Sequence, residues 1–365
     1  MRSISDTITR LKKLRGLTPS PLPENNRLAD LGLFGPNPGA LEAKVYVPKG
    51  LRPRSALVVV LHGCTQTALS YDHGSGWSQL AAEYGFAVLF PQQTRANNPN
   101  GCFNWFVPAD IQADQGEAAS IVQMIETVAA RHDIDRTRIY VTGLSAGGAM
   151  ANVMLATHPD LFAGGAIIAG LAYGTAATVP EAFDRMRGHG LPAAPALQSL
   201  LQNASSHSGP WPTISVWHGT KDATVVAANA LSIIEQWRGV HGVAARPDTV
   251  DSVDGHTRQL WKTSDGQDVI ENFIIAGMGH GTPLDPSSGY GRTAPYMLDA
   301  GISSTVHIAR SWGLIASFEK RTDVELDVPI QSGSNPPPSP ASPPPQTLGI
   351  QKTIEDALRA AGLMK

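Results

Sequence analysis

The chain has 365 residues, of which 42% are hydrophobic and 16% are charged, so it carries enough apolar material for a large core. Its 28 basic residues against 31 acidic residues leave a net charge of −3. These values exclude wholesale disorder and a strongly basic nucleic-acid-binding protein, and no apolar run approaches the roughly 20 residues of a membrane helix. We therefore expect a soluble protein with no transmembrane segment and no nucleic-acid partner.

Residues 1–20 predict an amphipathic N-terminal arm. Apolar residues recur there on one face of a helix: Ile4, Ile8, Leu11 and Leu14. Basic residues are spread among them, and the segment lacks the continuous apolar block of a secretory signal peptide. We therefore expect a cytoplasmic protein, with secretion by another route left open.

The body of the chain, residues 35–325, alternates short apolar runs with helical patterns. This order is typical of an α/β fold in which helices cover both faces of a mostly parallel sheet. The predicted strands are 43–47, 56–61, 86–90, 138–141, 165–169, 214–217 and 269–275. The predicted helices lie near 77–84, 116–131, 146–157, 225–240 and 303–316. Strands at 257–262 and 269–275, joined by a turn at 264–267, predict a hairpin near the sheet edge.

Two segments of this body carry more specific predictions. Asp114 and Glu117 have the spacing of a capping box, which would open the helix at 116–131. Residues 171–212 interrupt the alternation because they are rich in Gly, Ala and Pro and only weakly helical. Long insertions in compact domains are often functional, so we expect a small cap that shapes a pocket.

The C-terminal part of the chain predicts a linker and a further helix. Residues 332–347 are rich in proline and serine, and because proline favours extended chain they predict a semi-rigid linker. In residues 348–365 apolar side chains repeat at helical spacing, which predicts an amphipathic helix. Both terminal arms need a partner surface, which is the protein's own body, a sister subunit in a homo-oligomer, or another protein.

A Gly-x-Ser-x-Gly motif formed by Gly143, Ser145 and Gly147 lies between a predicted strand and a predicted helix. A serine at such a turn projects its hydroxyl above the sheet, and the two glycines allow a bend that a Cβ would obstruct. Ser145 is therefore the predicted nucleophile. The alternative is a chance turn rich in Gly and Ser, which would not explain why strand, turn and helix follow in the required order.

A serine nucleophile needs a histidine as base and a carboxylate that orients the histidine. In the α/β-hydrolase fold the carboxylate and then the histidine follow the serine along the chain. Asp222 comes in a turn just after the strand at 214–217, and His280 lies between glycines after the strand at 269–275. These two residues are the predicted acid and base. Rival acids lie in looser loops: Asp254, Asp265 and Asp268.

The negative charge that develops on an ester carbonyl oxygen must be met by backbone N–H donors. In this fold one donor belongs to the residue after the nucleophile, here Ala146, and the other to the loop after an early strand. That loop reads His-Gly-Cys-Thr-Gln at 62–66, and we expect the Cys64 amide to be the second donor. A cysteine nucleophile is the alternative, but neither Cys64 nor Cys102 follows a strand-turn-helix elbow.

The two cysteines, Cys64 and Cys102, are too few for a disulfide scaffold and lack the spacing of a zinc site. Cytosolic conditions normally keep thiols reduced, although a buried pair with good geometry can resist reduction. The cysteines therefore predict either one bridge, which would fix the predicted oxyanion loop, or two buried thiols.

Aromatic residues are sparse, so those near the predicted triad are candidates for a substrate pocket. Either an apolar acyl pocket or the core would take these side chains: Phe103, Trp105, Phe106, Trp217, Tyr290 and Tyr296. Among them, Trp105, Trp217 and Tyr290 are the residues predicted for the substrate pocket. No dinucleotide fingerprint, phosphate loop or metal-binding pattern occurs, so we expect no cofactor and no metal.

Taken together, the motifs make the chain similar to the poly(3-hydroxybutyrate) depolymerase family of esterases, α/β-hydrolases related to feruloyl and acetylxylan esterases. The resemblance covers roughly residues 43–316. Its motifs are His-Gly-Cys-Thr-Gln at 62–66, Cys-Phe-Asn-Trp at 102–105, Gly-Leu-Ser-Ala-Gly-Gly at 143–148, His-Gly-Thr-Lys-Asp at 218–222 and Gly-His-Gly at 279–281. The resemblance implies carboxylic-ester hydrolysis through an acyl-enzyme on Ser145, with Asp222 and His280 completing the triad.

Secreted members of this family carry a signal peptide and a polymer-binding domain after the linker, and the chain departs from them in both respects. The resemblance therefore implies activity on hydroxyalkanoate polyesters, their oligomers or short-chain esters, with granule docking through the terminal helices as a further expectation. A feruloyl or acetylxylan esterase is the main alternative. A serine peptidase, an acyltransferase and a non-catalytic α/β-hydrolase scaffold are the others, although a scaffold would need a broken triad and all three positions are filled.

Overall fold

A computed structural model describes residues 26–315 of the chain. The strands within this range are β1 (Ala29–Asp30), β2 (Glu42–Tyr46), β3 (Ser55–Leu61), β4 (Ala87–Gln92), β5 (Ile134–Leu144), β6 (Gly164–Ile168), β7 (Thr213–Gly219), β8 (Thr249–Val253), β9 (His256–Lys262), β10 (Asp268–Ile275), β11 (Thr282–Leu284) and β12 (Met297–Asp299). The predicted arms at 1–20 and 348–365 and the predicted linker at 332–347 lie outside the described residues.

The α-helices of the same range alternate with these strands. They are α1 (Ala68–Ser75), α2 (Trp77–Tyr84), α3 (Gly116–His132), α4 (Ala146–Thr157), α5 (Val179–Met186), α6 (Ala194–Gln202), α7 (Ala228–His241) and α8 (Ser304–Ser311). A short 3₁₀ helix at Pro286–Ser288 follows β11. None of the helices between residues 26 and 315 is long and apolar enough to cross a membrane.

Ten strands form one sheet in the order β1-β2-β4-β3-β5-β6-β7-β10-β9-β8. The six central strands, from β4 to β10 in that order, are parallel to one another. The strands at both edges pair antiparallel, and β9 and β10 form the predicted hairpin. The prediction of an α/β fold with a mostly parallel sheet is therefore confirmed.

The central strand β3 shows why helices must cover both faces of the sheet. All seven of its residues are buried. Leu57 and Val59 pack into one apolar core with side chains from α3, α4 and α7. Val58 and Val60 point the other way, into a second core with side chains from α1, α2 and α8. A strand with two buried faces is an uninterrupted apolar run in the sequence, which is why this element was predictable.

Two predicted helices differ from the observed ones at their ends. The helix predicted at 225–240 begins later, as α7, because the Val225 amide donates a 2.9 Å hydrogen bond to the Asp222 carboxylate. The helix predicted at 303–316 ends earlier, as α8, where Gly313 adopts a left-handed φ of 64°. In both places a local hydrogen bond or turn overrides the helical pattern of the sequence.

The predicted capping box of Asp114 and Glu117 is wrong. The residue before α3 makes no side-chain capping hydrogen bond. Glu117 is instead fully buried, and its carboxyl group accepts hydrogen bonds from Gln93 Nε2, Asn97 Nδ2 and the Asn104 amide at 2.5, 3.0 and 2.9 Å. These partners belong to the loop after β4, which covers the start of α3 and turns the carboxyl group inward.

The insertion at 171–212 contains α5 and α6 and connects β6 to β7. It rests on α7 through two side chains of that helix. Gln236 Nε2 donates to the Leu197 carbonyl at 3.2 Å, and Asn229 Nδ2 donates to the Arg185 carbonyl at 2.9 Å. The first contact anchors α6, and the second anchors the end of α5.

Glu117 is expected to make stability fall as the pH rises. Burial raises the pKa of its carboxyl group from 4.5 to about 8, so the native protein keeps a proton that the unfolded chain releases. The stability that Glu117 contributes is therefore complete below about pH 4.5 and is lost as the pH approaches about 8.

Urea unfolding of wild type and Glu117→Gln between pH 4.5 and about pH 8 tests this expectation. The free energy of unfolding of wild type should fall relative to that of Glu117→Gln as the pH rises. Glu126→Gln, on the exposed part of the same helix, controls for the loss of one carboxylate. Parallel curves for wild type and Glu117→Gln would show that Glu117 does not titrate in this window.

Candidate active site

Ser145 lies in a sharp turn between the end of β5 and the start of α4. Its backbone has φ 57° and ψ −119°, a conformation that L-residues rarely adopt. Glycines on both sides make the turn possible. A Cβ at Gly147 would collide with the carbonyl oxygens of Leu61 and His62, and one at Gly143 would collide with the carbonyl of Gly147. The motif therefore presses the start of α4 against the end of β3, with the serine side chain at the carboxyl edge of the sheet.

The structure brings Ser145, His280 and Asp222 into one hydrogen-bonded chain. His280 Nε2 lies 2.9 Å from Ser145 Oγ, and His280 Nδ1 lies 2.7 Å from Asp222 Oδ2. The carboxylate can only accept, so Nδ1 carries the proton and the Nε2 lone pair accepts the serine O–H. This is the arrangement in which an imidazole can remove a proton from a serine hydroxyl.

Asp222 and His280 lie on neighbouring loops, after β7 and β10, that are tied to each other. The Lys221 amide donates to the Met278 carbonyl at 2.9 Å. The two loops come this close because residue 219 has no side chain: a Cβ at Gly219 would collide with the Met278 carbonyl. Parallel pairing of β7 with β10 thus fixes the distance between the carboxylate and the imidazole.

The carboxylate of Asp222 is held in place from the side opposite His280. Its Oδ1 accepts hydrogen bonds of 2.9 Å from the Thr224 and Val225 amides. His218 lies beside it, with Nε2 2.7 Å from the Val225 carbonyl and 3.5 Å from Asp222 Oδ2. Burial lowers the pKa of His218, so its neutral ring donates from Nε2 to that carbonyl. His218 therefore supports the turn that carries Asp222.

The amides predicted to form the oxyanion hole both lie beside Ser145. Ala146 is the first residue of α4, where the N–H has no intrahelical acceptor. Within residues 26–315 the Cys64 amide donates to no other residue. The loop that carries Cys64 is fixed by Gln66, whose Oε1 accepts from the Gly63 amide at 2.9 Å.

The buried His62 also contacts the loop that carries Cys64. His62 Nδ1 lies 2.8 Å from the Gly63 carbonyl, and its Nε2 accepts from the Gln93 amide at 3.1 Å. Burial lowers the pKa of His62 to about 4, so the ring is neutral and donates from Nδ1. His62 is thus a structural link between the ends of β3 and β4.

Cys64 and Cys102 form a disulfide, with their Cα atoms 4.2 Å apart and a sequence separation of 38. The bridge joins the loop after β3 to the loop after β4. Two hydrogen bonds also hold these loops. The Thr65 amide donates to the Asn100 carbonyl at 2.8 Å, and Gln93 Nε2 donates to the Cys102 carbonyl at 2.9 Å. Of the two states that the sequence left open for these cysteines, the structure shows the bridge.

A cavity of about 300 Å³ opens beside Ser145 and His280. This volume is at the lower end of the range of roughly 300–1,000 Å³ for small-molecule sites. The other side chains of the wall include the apolar Leu144 and Met186, Tyr296 with its aromatic ring and hydroxyl, and the polar Thr65, Gln66 and Thr224. The cavity therefore suits a small group with both apolar and hydrogen-bonding parts.

The three aromatic residues predicted for the substrate pocket do not line this cavity. Trp217 is fully buried and stacks on Phe273, its partner on the neighbouring strand, with ring centroids 3.7 Å apart. The Tyr290 hydroxyl donates to Glu83 at 2.6 Å, which ties a loop to α2. Trp105 is buried in the core. The pocket interpretation of these residues is wrong, and core packing or loop anchoring explains them.

Sequence reasoning missed most of the residues that form the cavity wall. Met186 reaches the cavity from the end of α5, inside the insertion at 171–212 that was expected to shape a pocket. Thr65 and Gln66 directly follow the predicted oxyanion residue, which was the signal available for them. Tyr296 is the exception: it was one of the aromatic pocket candidates beyond His280, and the fold brings it back to line the cavity. Residues 26–315 contain no group of three or more His, Cys, Asp or Glu side chains placed to bind a metal ion.

Comparison with known proteins places this site in a family. The sequence profile of the family described as Esterase PHB depolymerase matches residues 41–259. Poly(3-hydroxyalkanoate) depolymerase C of Paucimonas lemoignei is 45% identical over 293 residues, which are 79% of this chain and 70% of that protein. An acetylxylan esterase of Coprinopsis cinerea is 30% identical, with 73% of this chain and 72% of that protein aligned.

More distant relatives agree with this grouping. Feruloyl esterase B of Talaromyces stipitatus is 29% identical, with 71% of this chain and 74% of that protein aligned. The solved acetyl xylan esterase from Aspergillus awamori has a TM-score of 0.67 and 24% identity, and covers 80% of this chain and all of its own, which shows the shared fold. Because the profile covers more than half of the chain and the alignments extend beyond it, the chain belongs to the esterase PHB depolymerase family of carboxylic-ester hydrolases.

Proposed function

We propose that the protein hydrolyses 3-hydroxybutyrate-type polyesters or their oligomers, together with short-chain esters, through an acyl-enzyme on Ser145. The observation that carries this proposal is the hydrogen-bonded chain from Asp222 through His280 to Ser145, on a strained turn at the edge of the cavity. The 45% identity to a poly(3-hydroxyalkanoate) depolymerase supports the substrate class. The small cavity agrees with a short acyl group.

The proposed reaction follows from the positions of these atoms. Ser145 Oγ attacks the ester carbonyl carbon while His280 Nε2 takes the hydroxyl proton, and Asp222 stabilises the imidazolium through Nδ1–H. The carbonyl oxygen becomes an oxyanion and accepts hydrogen bonds from the Cys64 and Ala146 amides. The tetrahedral intermediate then expels the alcohol, to which His280 returns the proton. Water repeats the sequence on the acyl-enzyme and releases the carboxylic acid.

A plant-polymer esterase is the second candidate, because acetylxylan and feruloyl esterases align over about the same part of the chain at 29–30% identity. The names of these enzymes indicate an alcohol or acyl group different from that of a hydroxyalkanoate. The higher identity to the hydroxyalkanoate depolymerase favours the first candidate. A direct comparison of substrates distinguishes the two.

The terminal arms and the location of the protein stay predictions. Residues 1–20 and 348–365 lie outside the described residues, and so does the linker at 332–347. The arms stay predicted to dock on a sister subunit or on a polyester granule. Docking on a granule would place the active site near its substrate. A cytoplasmic location is compatible with granules made inside the cell.

Ser145→Ala is expected to lower kcat by about four to six orders of magnitude, because the variant has no oxygen that can carry the acyl group. The rates are measured with p-nitrophenyl butyrate, with 3-hydroxybutyrate dimer and trimer, and with methyl ferulate. Among the dimer, the trimer and methyl ferulate, the trimer should have the highest Ser145-dependent kcat/KM. Ser199→Ala, at an exposed serine of α6, is the matched control and should keep full activity. Near-normal turnover by folded Ser145→Ala would overturn the assignment, and a preference for ferulate would favour the second candidate.

Cys102→Ser is expected to impair both stability and turnover while leaving the Cys64 amide in the chain. A bridge between cysteines with a sequence separation of 38 stabilises a protein by about 2–4 kcal/mol. Loosening the loop should lower kcat by roughly 10- to 100-fold, less than the 10²–10³-fold typical of deleting an oxyanion donor. Urea unfolding and steady-state kinetics measure the two effects.

Reduction of the wild type supplies the control for this variant. Dithiothreitol should bring wild-type kcat down to that of Cys102→Ser and should leave the variant unchanged. If reduced wild type keeps full kcat, the bridge does not hold the oxyanion loop.

A further inference from the structure

Three residues with unusual backbone conformations meet at the catalytic cavity. Residues 26–315 include nine non-glycine residues with positive φ, and Thr65 (65°), Ser145 (57°) and Tyr296 (64°) all line the cavity. Positive φ is especially unfavourable for β-branched and bulky side chains, such as those of threonine and tyrosine. Such strain persists only where the surroundings enforce it, and it concentrates at functional sites. Ser145 has a role in the proposed reaction, whereas Thr65 and Tyr296 have none.

The surroundings of Thr65 and Tyr296 do enforce these conformations. Thr65 follows the bridged Cys64 and donates its amide to the Asn100 carbonyl at 2.8 Å. The carbonyl of Tyr296 accepts from the Thr282 amide at 2.8 Å. Both loops therefore hold their side chains rigidly in the cavity wall.

The loop that carries Tyr296 is also fixed from outside the cavity. The Gly291 amide donates to Gln79 Oε1 at 3.0 Å, and the Arg292 amide donates to the Gly74 carbonyl at 2.9 Å. Gln66 Nε2, from the oxyanion loop, donates to the Pro295 carbonyl at 3.4 Å. The wall formed by Tyr296 is thus pre-organised against α1, α2 and the oxyanion loop.

Tyr296 packs against the imidazole that must protonate the leaving alcohol. Its ring meets the His280 ring edge to face, with centroids 6.2 Å apart and planes at 78°. In ester hydrolysis His280 must give its proton to the leaving alcohol oxygen, so that oxygen lies within hydrogen-bond reach of the imidazole. A side chain that both packs on the imidazole and lines the cavity is therefore placed near the leaving alcohol.

The hydroxyl of Tyr296 gives this side of the cavity a hydrogen-bond donor. The side chain is half-buried, and burial raises the pKa of its phenol. A hydrogen bond with the Thr65 side chain partly opposes this rise. The phenol thus stays protonated at neutral pH. Leu144 and Met186 supply apolar surface elsewhere in the wall. A leaving alcohol with a carbonyl group close to its oxygen would match this combination.

We propose that the Tyr296 hydroxyl, with Thr65 beside it, is a specificity determinant that binds the carbonyl of the hydroxyacyl unit on the leaving side of the scissile ester. This inference rests on the proposed ester hydrolysis and adds the recognition of the next unit. In a 3-hydroxybutyrate oligomer the leaving alcohol is itself a hydroxyacid, and its own carbonyl lies near the leaving oxygen. A simple alkyl ester has the same acyl group and lacks that carbonyl.

Two substrates with one acyl group isolate this contact. Methyl 3-hydroxybutyrate releases methanol, whereas the internal ester of the dimer methyl ester releases methyl 3-hydroxybutyrate, and product chromatography separates the two cleavages. Tyr296→Phe keeps the ring and removes only the hydroxyl. We expect kcat/KM for the internal ester to fall about tenfold, mostly through KM, as for the loss of one hydrogen bond. The kcat/KM for methyl 3-hydroxybutyrate should stay within about twofold, since its leaving group makes no such bond.

Thr65→Val and Tyr46→Phe complete the test. Thr65→Val removes the neighbouring hydroxyl at nearly constant shape and should act in the same direction as Tyr296→Phe. Tyr46→Phe, on β2 near the far edge of the sheet, should leave both substrates unaffected. An equal fall on both substrates, or no fall on the internal ester, would overturn this proposal and leave the proposed function intact. If the wild type hydrolysed neither substrate, the proposed function would fail and this inference with it.

Discussion

The site depends on one close backbone contact, between the start of α4 and the end of β3. Gly147 allows it because a Cβ there would collide with the carbonyls of Leu61 and His62. The contact joins the turn of Ser145, with its unusual backbone conformation, to the loop of Cys64, and both residues line the same cavity. Substitution of this glycine would push apart Ser145, the proposed nucleophile, and the loop proposed to stabilise the oxyanion.

The parallel sheet supplies the rest of the site. β3, β5, β7 and β10 run in the same direction, so their carboxyl ends meet at one edge. Cys64, Ser145, Asp222 and His280 each follow one of these strands. The disulfide and the buried Glu117 network then fix the loops on the β3 side, where the sheet alone leaves them free to move. A rigid scaffold with separately anchored loops is what electrostatic preorganisation requires.

The sequence predicted those parts of the molecule that local pattern determines. The apolar run of β3 and the strand-turn-helix context of Ser145 depend on neighbouring residues alone, and so do the positions of Asp222 and His280 at strand ends. Residues whose role depends on distant contacts were misassigned. Trp217 packs on a cross-strand partner in the core, and Glu117 is turned inward by a loop that precedes it in the chain. No local pattern reports which face of a strand or which loop such side chains will meet.

In the proposed reaction Ser145 carries the acyl group during turnover. The most direct measurement is inactivation with diethyl p-nitrophenyl phosphate, followed by intact-mass and peptide-mass analysis. We expect one diethylphosphoryl group per inactivated molecule, on the peptide that contains Ser145, with one equivalent of p-nitrophenol released. Complete inactivation with the label on another residue, or full labelling of Ser145 with activity retained, would contradict it.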